Sequence, residues 1–299
     1  MVIDKLIDKI IEKKNPCCVG IDPDYDKIPK CYKEVGLKKT QVIYNWAIDV
    51  IDGVKDIVAV IKPQIAFFEM YGSEGIKILE EIIRYAHEND LIVIDDSKRN
   101  DIGNTAGAYA YAHLDSDGPI NADFLTVSPF LGTDSLEPFI ETAHENGKGL
   151  FILVKTSNPS SNQISEAIID GNSVMNNLAL YVNDEGNKLV GKYGYSSVGA
   201  VVGATFPDEA KKLRTIMKNN YFLVPGYGTQ GGNVDSIINF FNEDGLGAVV
   251  SSSRAILYSY KDYNIIKEDY IELVKKSSEF MRNEIYSKLK RSTNLLNKI

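Results

Sequence analysis

The sequence predicts an α/β protein, a (β/α)8 (TIM) barrel. Three observations carry that expectation. Eight short apolar runs recur along the 299 residues, and each ends in polar or glycine-rich residues. Helical patterns separate them at roughly 30-residue spacing, which implies βαβ units and a parallel sheet. A doubly wound open sheet is the competing arrangement of the same elements.

The chain opens on "MVIDKLIDKIIEKKN", where Ile3, Leu6, Ile7, Ile10 and Ile11 share one helical face. Asp4, Asp8 and Glu12 break up any signal-peptide core. Strands are expected at 17–22 ("CCVGID"), 56–62 ("DIVAVIK"), 91–98 ("LIVIDDSK") and 122–128 ("ADFLTVS"). Four more follow at 149–155 ("GLFILVK"), 197–204 ("SVGAVVGA"), 221–226 ("YFLVPG") and 247–253 ("GAVVSSS"). Helical periodicity fills 73–89 and 208–220. It also fills 134–147, which starts with Asp134 as an N-cap and stops on Asn146-Gly147. The longest irregular interval, 156–196, holds "TSNPSSNQ" and a helix-like "SVMNNLALYVNDEG" and reads as an insertion on a loop. The chain 1–299 is therefore expected to be a single barrel domain with an N-terminal helix and this insertion. The basic, polar tail from Lys288 is expected to fray.

Net charge is −8, which argues against a nucleic-acid or membrane-surface role for the whole protein. An anionic ligand would need local positive charge. No apolar run approaches the ~18 residues of a membrane span, so a cytoplasmic location is expected. Cys17, Cys18 and Cys31 form no CxxC and suggest neither a disulfide framework nor a zinc knuckle. His87 and His144, each in an "AHEN", suit helix C-terminal positions, so neither a catalytic histidine nor a His-rich metal site is expected.

In a barrel, chemistry sits at the C-terminal ends of the strands. Asp22 follows strand one, Lys62 ends strand two, and Asp96 and Lys98 end strand three. Ser157 follows strand five, Gln230 strand seven and Arg254 strand eight. Strand alternation points Asp96 and Lys98 one way and Asp95 and Ser97 the other. Asp101 comes three residues after Lys98, past a turn. Arg99 and Asp95 read as solvated or structural. Lys62 could form a Schiff base, but carboxylates nearby would keep it protonated and a poor nucleophile, which favours a charge network. Loops after strands seven and eight are the usual phosphate site of this fold, and "PGYGTQGG" followed by "SSSRAI" supplies glycines and Arg254 there.

"DDSKRNDIGNT" resembles the D-x-K-x-x-D-I-x-x-T signature of the orotidine 5′-phosphate decarboxylase family, at Asp96, Lys98, Asp101, Ile102 and Thr105. "GIDPD", "KPQIAFFE", "TVSPFLGTD", "VKTSNP", "VVGAT", "PGYGTQGG" and "SSSRAI" fall in the family's order, and the chain is similar to its longer bacterial and protozoan branch. The resemblance implies decarboxylation of orotidine 5′-phosphate to uridine 5′-phosphate with no cofactor or metal. Lys98 would stabilise and protonate a C6 carbanion beside Asp96, with Lys62 and Asp101 completing the charge network. Asp22 and Lys62 would hold the ribose, Ser157 the pyrimidine and Arg254 the phosphate, with Gln230 bridging the last two. It also implies a homodimer in which Asp101, Ile102 and Thr105 reach the partner's site. Ser253 departs from many short-form members, which have glycine before the arginine. A magnesium-dependent sugar-phosphate decarboxylase on the same barrel, a non-catalytic nucleotide-phosphate-binding barrel and a Schiff-base aldolase are the rival readings.

Overall fold

The computed structural model describes residues 1–228 and 234–294. Its eight parallel strands are β1 (Cys17–Ile21), β2 (Val60–Pro63), β3 (Ile92–Arg99), β4 (Phe124–Val127), β5 (Gly149–Lys155), β6 (Ser196–Val202), β7 (Asn220–Pro225) and β8 (Ala248–Ser252). They form a closed barrel in chain order, sealed where β1 pairs with both β2 and β8. A strand buried on both faces needs apolar residues at nearly every position, which is why each reads as a short continuous run. The main helices are α1 (Val2–Lys13), α2 (Lys39–Val54), α3 (Gly72–Glu88), α4 (Gly103–Leu114), α5 (Glu137–Glu145), α6 (Val174–Gly186), α7 (Pro207–Ile216) and α8 (Lys267–Ser292). No helix among the described residues is long and apolar enough to cross a membrane.

Two cores divide along the strand alternation. One takes the inward positions: Cys18, Val60, Ile92, Ile94, Phe124, Phe151, Tyr221 and Val249 pack with Val2, Ile3, Leu6, Ile7 and Ile10 of α1. The apolar face of α1 thus closes the bottom of the barrel. The other core lies between the strands and the helical ring, and includes Val19, Ile61, Val93 and Leu125. The inward series continues upward as polar residues: Gly20 then Asp22, Lys62, Asp96 then Lys98, and Ser251. The same alternation that fills the lower barrel with hydrocarbon therefore delivers charges to its upper mouth.

Several local expectations differ from the structure. Strand two is shorter than 56–62: Ile57, Val58 and Ala59 are buried, but ladder pairing begins only at Val60. Asp134 does not cap α5. It lies in a 3-10 turn, Thr133–Ser135, and the helix begins at Glu137 with Pro138 in its first turn. The Asn146-Gly147 stop holds, with Gly147 at φ 66°. The tail does not fray at Lys288. Helix α8 continues to Ser292 because Ile285 and Leu289 are buried and Lys288 pairs with Asp235. Within 156–196, helix α6 packs on β5 and β6 in the position of a barrel helix, its start capped by Ser173. Before it come short helical turns over 159–165 and a hairpin pairing Ile168 with Ser173.

Candidate active site

At the upper mouth, Asp96 stands between two lysines. Its Oδ2 accepts from Lys62 Nζ at 2.6 Å and its Oδ1 from Lys98 Nζ at 2.5 Å. Lys62 and Asp96 are nearly buried, whereas the Lys98 side chain is 45% exposed and stands at the rim. Burial pushes the Asp96 carboxyl up, but the two ammoniums outweigh it and hold the group well below the usual carboxylate range. Burial likewise pushes the Lys62 ammonium down, and the carboxylates of Asp96 and Asp22 more than reverse this. Both groups are therefore charged at neutral pH, and Lys62 is a poor amine nucleophile.

Thr126 fixes this line from the neighbouring strand. Its hydroxyl donates to Asp96 Oδ1 at 3.1 Å and accepts the backbone N–H of Lys98 at 2.9 Å. Lys98 has φ 47°, a left-handed backbone in a residue with a Cβ, where the β3–β4 register shifts between Asp95 and Arg99. The bulge turns the end of the strand without breaking the Asp96–Lys98 pairing.

A cavity of about 180 Å³ opens beside Asp96, lined by Asp22, Lys62, Asp96, Ser157, Ser253 and Arg254 among others. Asp22 Oδ1 is buried there with no hydrogen-bond partner among the described residues, a carboxylate oxygen left for a ligand to satisfy. Tyr258 positions Asp22, its hydroxyl donating to the Asp22 carbonyl at 2.7 Å and accepting from the Asp24 N–H at 2.9 Å. Ser157 is pressed against Gly203, where an added Cβ would lie 2.8 Å from the Ser157 Cα and N. Ser253 fills the space over Gly20, where a Cβ would come within 1.9 Å of its hydroxyl. Lys62, Lys98 and Arg254 against Asp22 and Asp96 give the mouth a local positive excess in a chain of net −8.

The structure thus gathers Asp22, Lys62, Asp96, Ser157 and Arg254 around one cavity, with Lys98 joined to it through Asp96. It does not bring Asp101, Ile102 or Thr105 to that cavity. The Asp101 carboxylate accepts the Ile102 N–H at 2.9 Å, and Ile102 is 57% exposed. Gln230 lies outside the described residues. Sequence reasoning missed Thr126 and Tyr258. Thr126 was findable, as a polar residue at an inward position of an apolar strand. Tyr258 carried no such signal, because its role depends on a contact 236 residues away.

A larger cavity, about 640 Å³, lies around Tyr195, Arg214 and Asn242 at the opposite end of the barrel. There Arg214 donates to the carbonyls of Met217, Asn220, Phe240 and Gly247, a structural use of the guanidinium. Among the described residues, no cluster of three or more His, Cys, Asp or Glu side chains is placed to hold a metal ion.

A closed parallel barrel with chemistry-bearing side chains at its C-terminal strand ends defines a (β/α)8-barrel enzyme. Residues 15–267 match the family described as orotidine 5′-phosphate decarboxylase / HUMPS. Orotidine 5′-phosphate decarboxylase of Clostridium tetani is 42% identical over 265 residues, 88% of this chain and 91% of that protein. The enzyme of the same name from Rhodopirellula baltica is 41% identical over 84% of this chain and 86% of its own length. A Streptomyces avermitilis crystal structure assigned to the same activity superposes with a TM-score of 0.81 at 33% identity, covering 96% of this chain and 95% of that one. The chain belongs to the orotidine 5′-phosphate decarboxylase family and is a carboxy-lyase.

Proposed function

We propose that the chain converts orotidine 5′-phosphate to uridine 5′-phosphate, the last step of pyrimidine nucleotide synthesis, by electrostatic stabilisation with no metal or organic cofactor. The observation that carries the mechanism is the Lys62–Asp96–Lys98 line beside the cavity.

The C6–carboxylate bond breaks and its electron pair stays on C6, in the ring plane and unable to delocalise into a carbonyl. CO2 departs, the Lys98 ammonium gives its proton to C6, and solvent reprotonates the amine. An ammonium already aimed at the developing charge needs little reorganisation. At ~4 Å and an effective dielectric of 20 such a pair is worth about 4 kcal/mol, or roughly a thousandfold in rate. Asp96 holds the ammonium before substrate arrives, and Lys62 keeps Asp96 ionised in a nearly buried setting. Asp22 and Lys62 take the ribose hydroxyls, Ser157 the pyrimidine and Arg254 the phosphate, with Gln230 bridging base and phosphate. These contacts are remote from C6, so their binding energy positions the ring. Asp101, Ile102 and Thr105, none of which lines the cavity of the single chain, complete the site of a second copy in a homodimer.

The test is loss of orotidylate absorbance with purified protein in the presence of a chelator, compared with Lys98→Ala. The parent should turn over in chelator. Lys98→Ala should lose turnover while still binding uridine 5′-phosphate. Near-normal turnover by the variant would overturn the mechanism, and loss of parent activity in chelator would favour a magnesium-dependent reaction.

A further inference from the structure

The outward face of β3 carries a second buried network that this mechanism does not use. Asp95 is fully buried and His113, on α4, is 3% exposed. His113 Nδ1 and Asp95 Oδ2 are 2.5 Å apart, and the Ser97 hydroxyl donates to Asp95 Oδ1. Arg99 Nε donates to His113 Nε2 at 3.2 Å, and Arg99 Nη2 donates to Glu69 at 2.5 Å. The guanidinium also lies over the Tyr109 ring, 5.5 Å from its centroid.

Arginine N–H groups can only donate, so His113 Nε2 is the acceptor. The ring proton therefore sits on Nδ1 and donates to Asp95. Histidine is the one common side chain that can donate at one ring atom and accept at the other, which is what joins Asp95 to Arg99 here.

The residues tied into this network flank Lys98. Ser97 precedes it and Arg99 follows it, while Lys98 itself holds the left-handed φ of 47°. That region is unfavourable for a residue with a Cβ and persists only where the surroundings over-determine it. The front face supplies the Thr126 contact to the Lys98 N–H, and the Ser128 N–H donates to the Arg99 carbonyl at 2.9 Å. The back face is held by Asp95 and His113.

We propose that His113 is a positioning residue: acting through Asp95, Ser97 and Arg99, it holds the strained backbone that aims the Lys98 ammonium at Asp96 and the cavity. This inference rests on the assignment of Lys98 as the proton donor. His113 touches neither the cavity nor any residue expected to contact substrate, so its removal should act on turnover rather than on binding.

The experiment compares His113→Leu, His113→Asn and Arg99→Met with the parent in kcat, KM, affinity for uridine 5′-phosphate and crystal structure. His113→Leu should lower kcat about 10- to 100-fold, as a displacement of roughly 1 Å would, with KM and nucleotide affinity within about twofold of the parent. His113→Asn keeps a donor toward Asp95 and should recover most of kcat. Arg99→Met removes the outer arm at a partly exposed site, lowers kcat in the same sense, and carries the test if His113→Leu does not fold. In the variant crystals, Lys98 should leave the left-handed region or lose its contact with Asp96. Retention of both overturns the proposal whatever the kinetics, as does an unchanged kcat in folded variants. If the parent itself does not consume orotidine 5′-phosphate, the proposed function fails, and the crystallographic comparison still decides whether His113 positions Lys98.

Discussion

Asp96→Asn removes the central charge of the ammonium–carboxylate–ammonium line while keeping side-chain size. The side chains of Lys62 and Asp96 are 6% and 11% exposed, so the variant leaves a buried ammonium without its nearest partner. Breaking a buried pair from one side costs about 3–5 kcal/mol. Asp22 still faces Lys62, which places the expected loss at the lower end, about 3 kcal/mol. The Lys98 arm is 45% exposed, and solvent screening limits it to about 0–1 kcal/mol. For a chain of 299 residues, at about 1.6 °C per kcal/mol, Asp96→Asn should melt roughly 5 °C below the parent and Lys98→Ala within about 2 °C of it. Both should lose turnover. The assay is calorimetric melting of the three proteins in one buffer, with decarboxylation rates measured in parallel. An Asp96→Asn melt within about 2 °C of the parent would refute the reasoning, because Lys62 would then not depend on this carboxylate.

Arg254→Ala should chiefly raise KM for orotidine 5′-phosphate, by about 10-fold or more for one lost charge-assisted contact, with kcat less affected; an unchanged KM would count against the phosphate assignment. Mixed dimers of Lys98→Ala and Asp101→Ala should recover about a quarter of parental activity, since half the dimers are hybrids with one complete site; no recovery would refute the shared site. Asp96 is held below the ordinary carboxylate value, so its contribution to stability is complete above about pH 4 and is lost as pH falls through its folded value. Lys62 is held above the ordinary ammonium value, so its contribution is complete below about pH 10 and is lost as pH rises through its folded value. The melting gap between parent and Asp96→Asn should therefore narrow as pH falls below about 4, and a gap unchanged down to about pH 2 would show that the lysines do not hold Asp96 ionised.

The barrel was legible because its evidence is local. Each strand announces itself as an apolar run, and strict alternation carries the inward series from Ile92 and Ile94 to Asp96 and Lys98 without any knowledge of the rest of the fold. Errors arose where a local sign competed with packing. Asp134 resembles a cap, yet Pro138 and a 3-10 turn set the start of α5. The charges after Lys288 resemble a loose end, yet the apolar face through Ile285 and Leu289 keeps α8 on the barrel.

The chain order by itself determined that Asp22, Lys62, Asp96, Lys98 and Arg254 would stand at strand ends on one rim, because side-chain direction in a strand repeats every two residues. Only the tertiary structure decided which of these groups meet. Lys62 and Lys98 share Asp96, Tyr258 reaches back to Asp22, and His113 joins Asp95 to Arg99 behind Lys98. No spacing rule encodes those partners, since contact depends on barrel closure and on a left-handed backbone at Lys98 that no glycine signals.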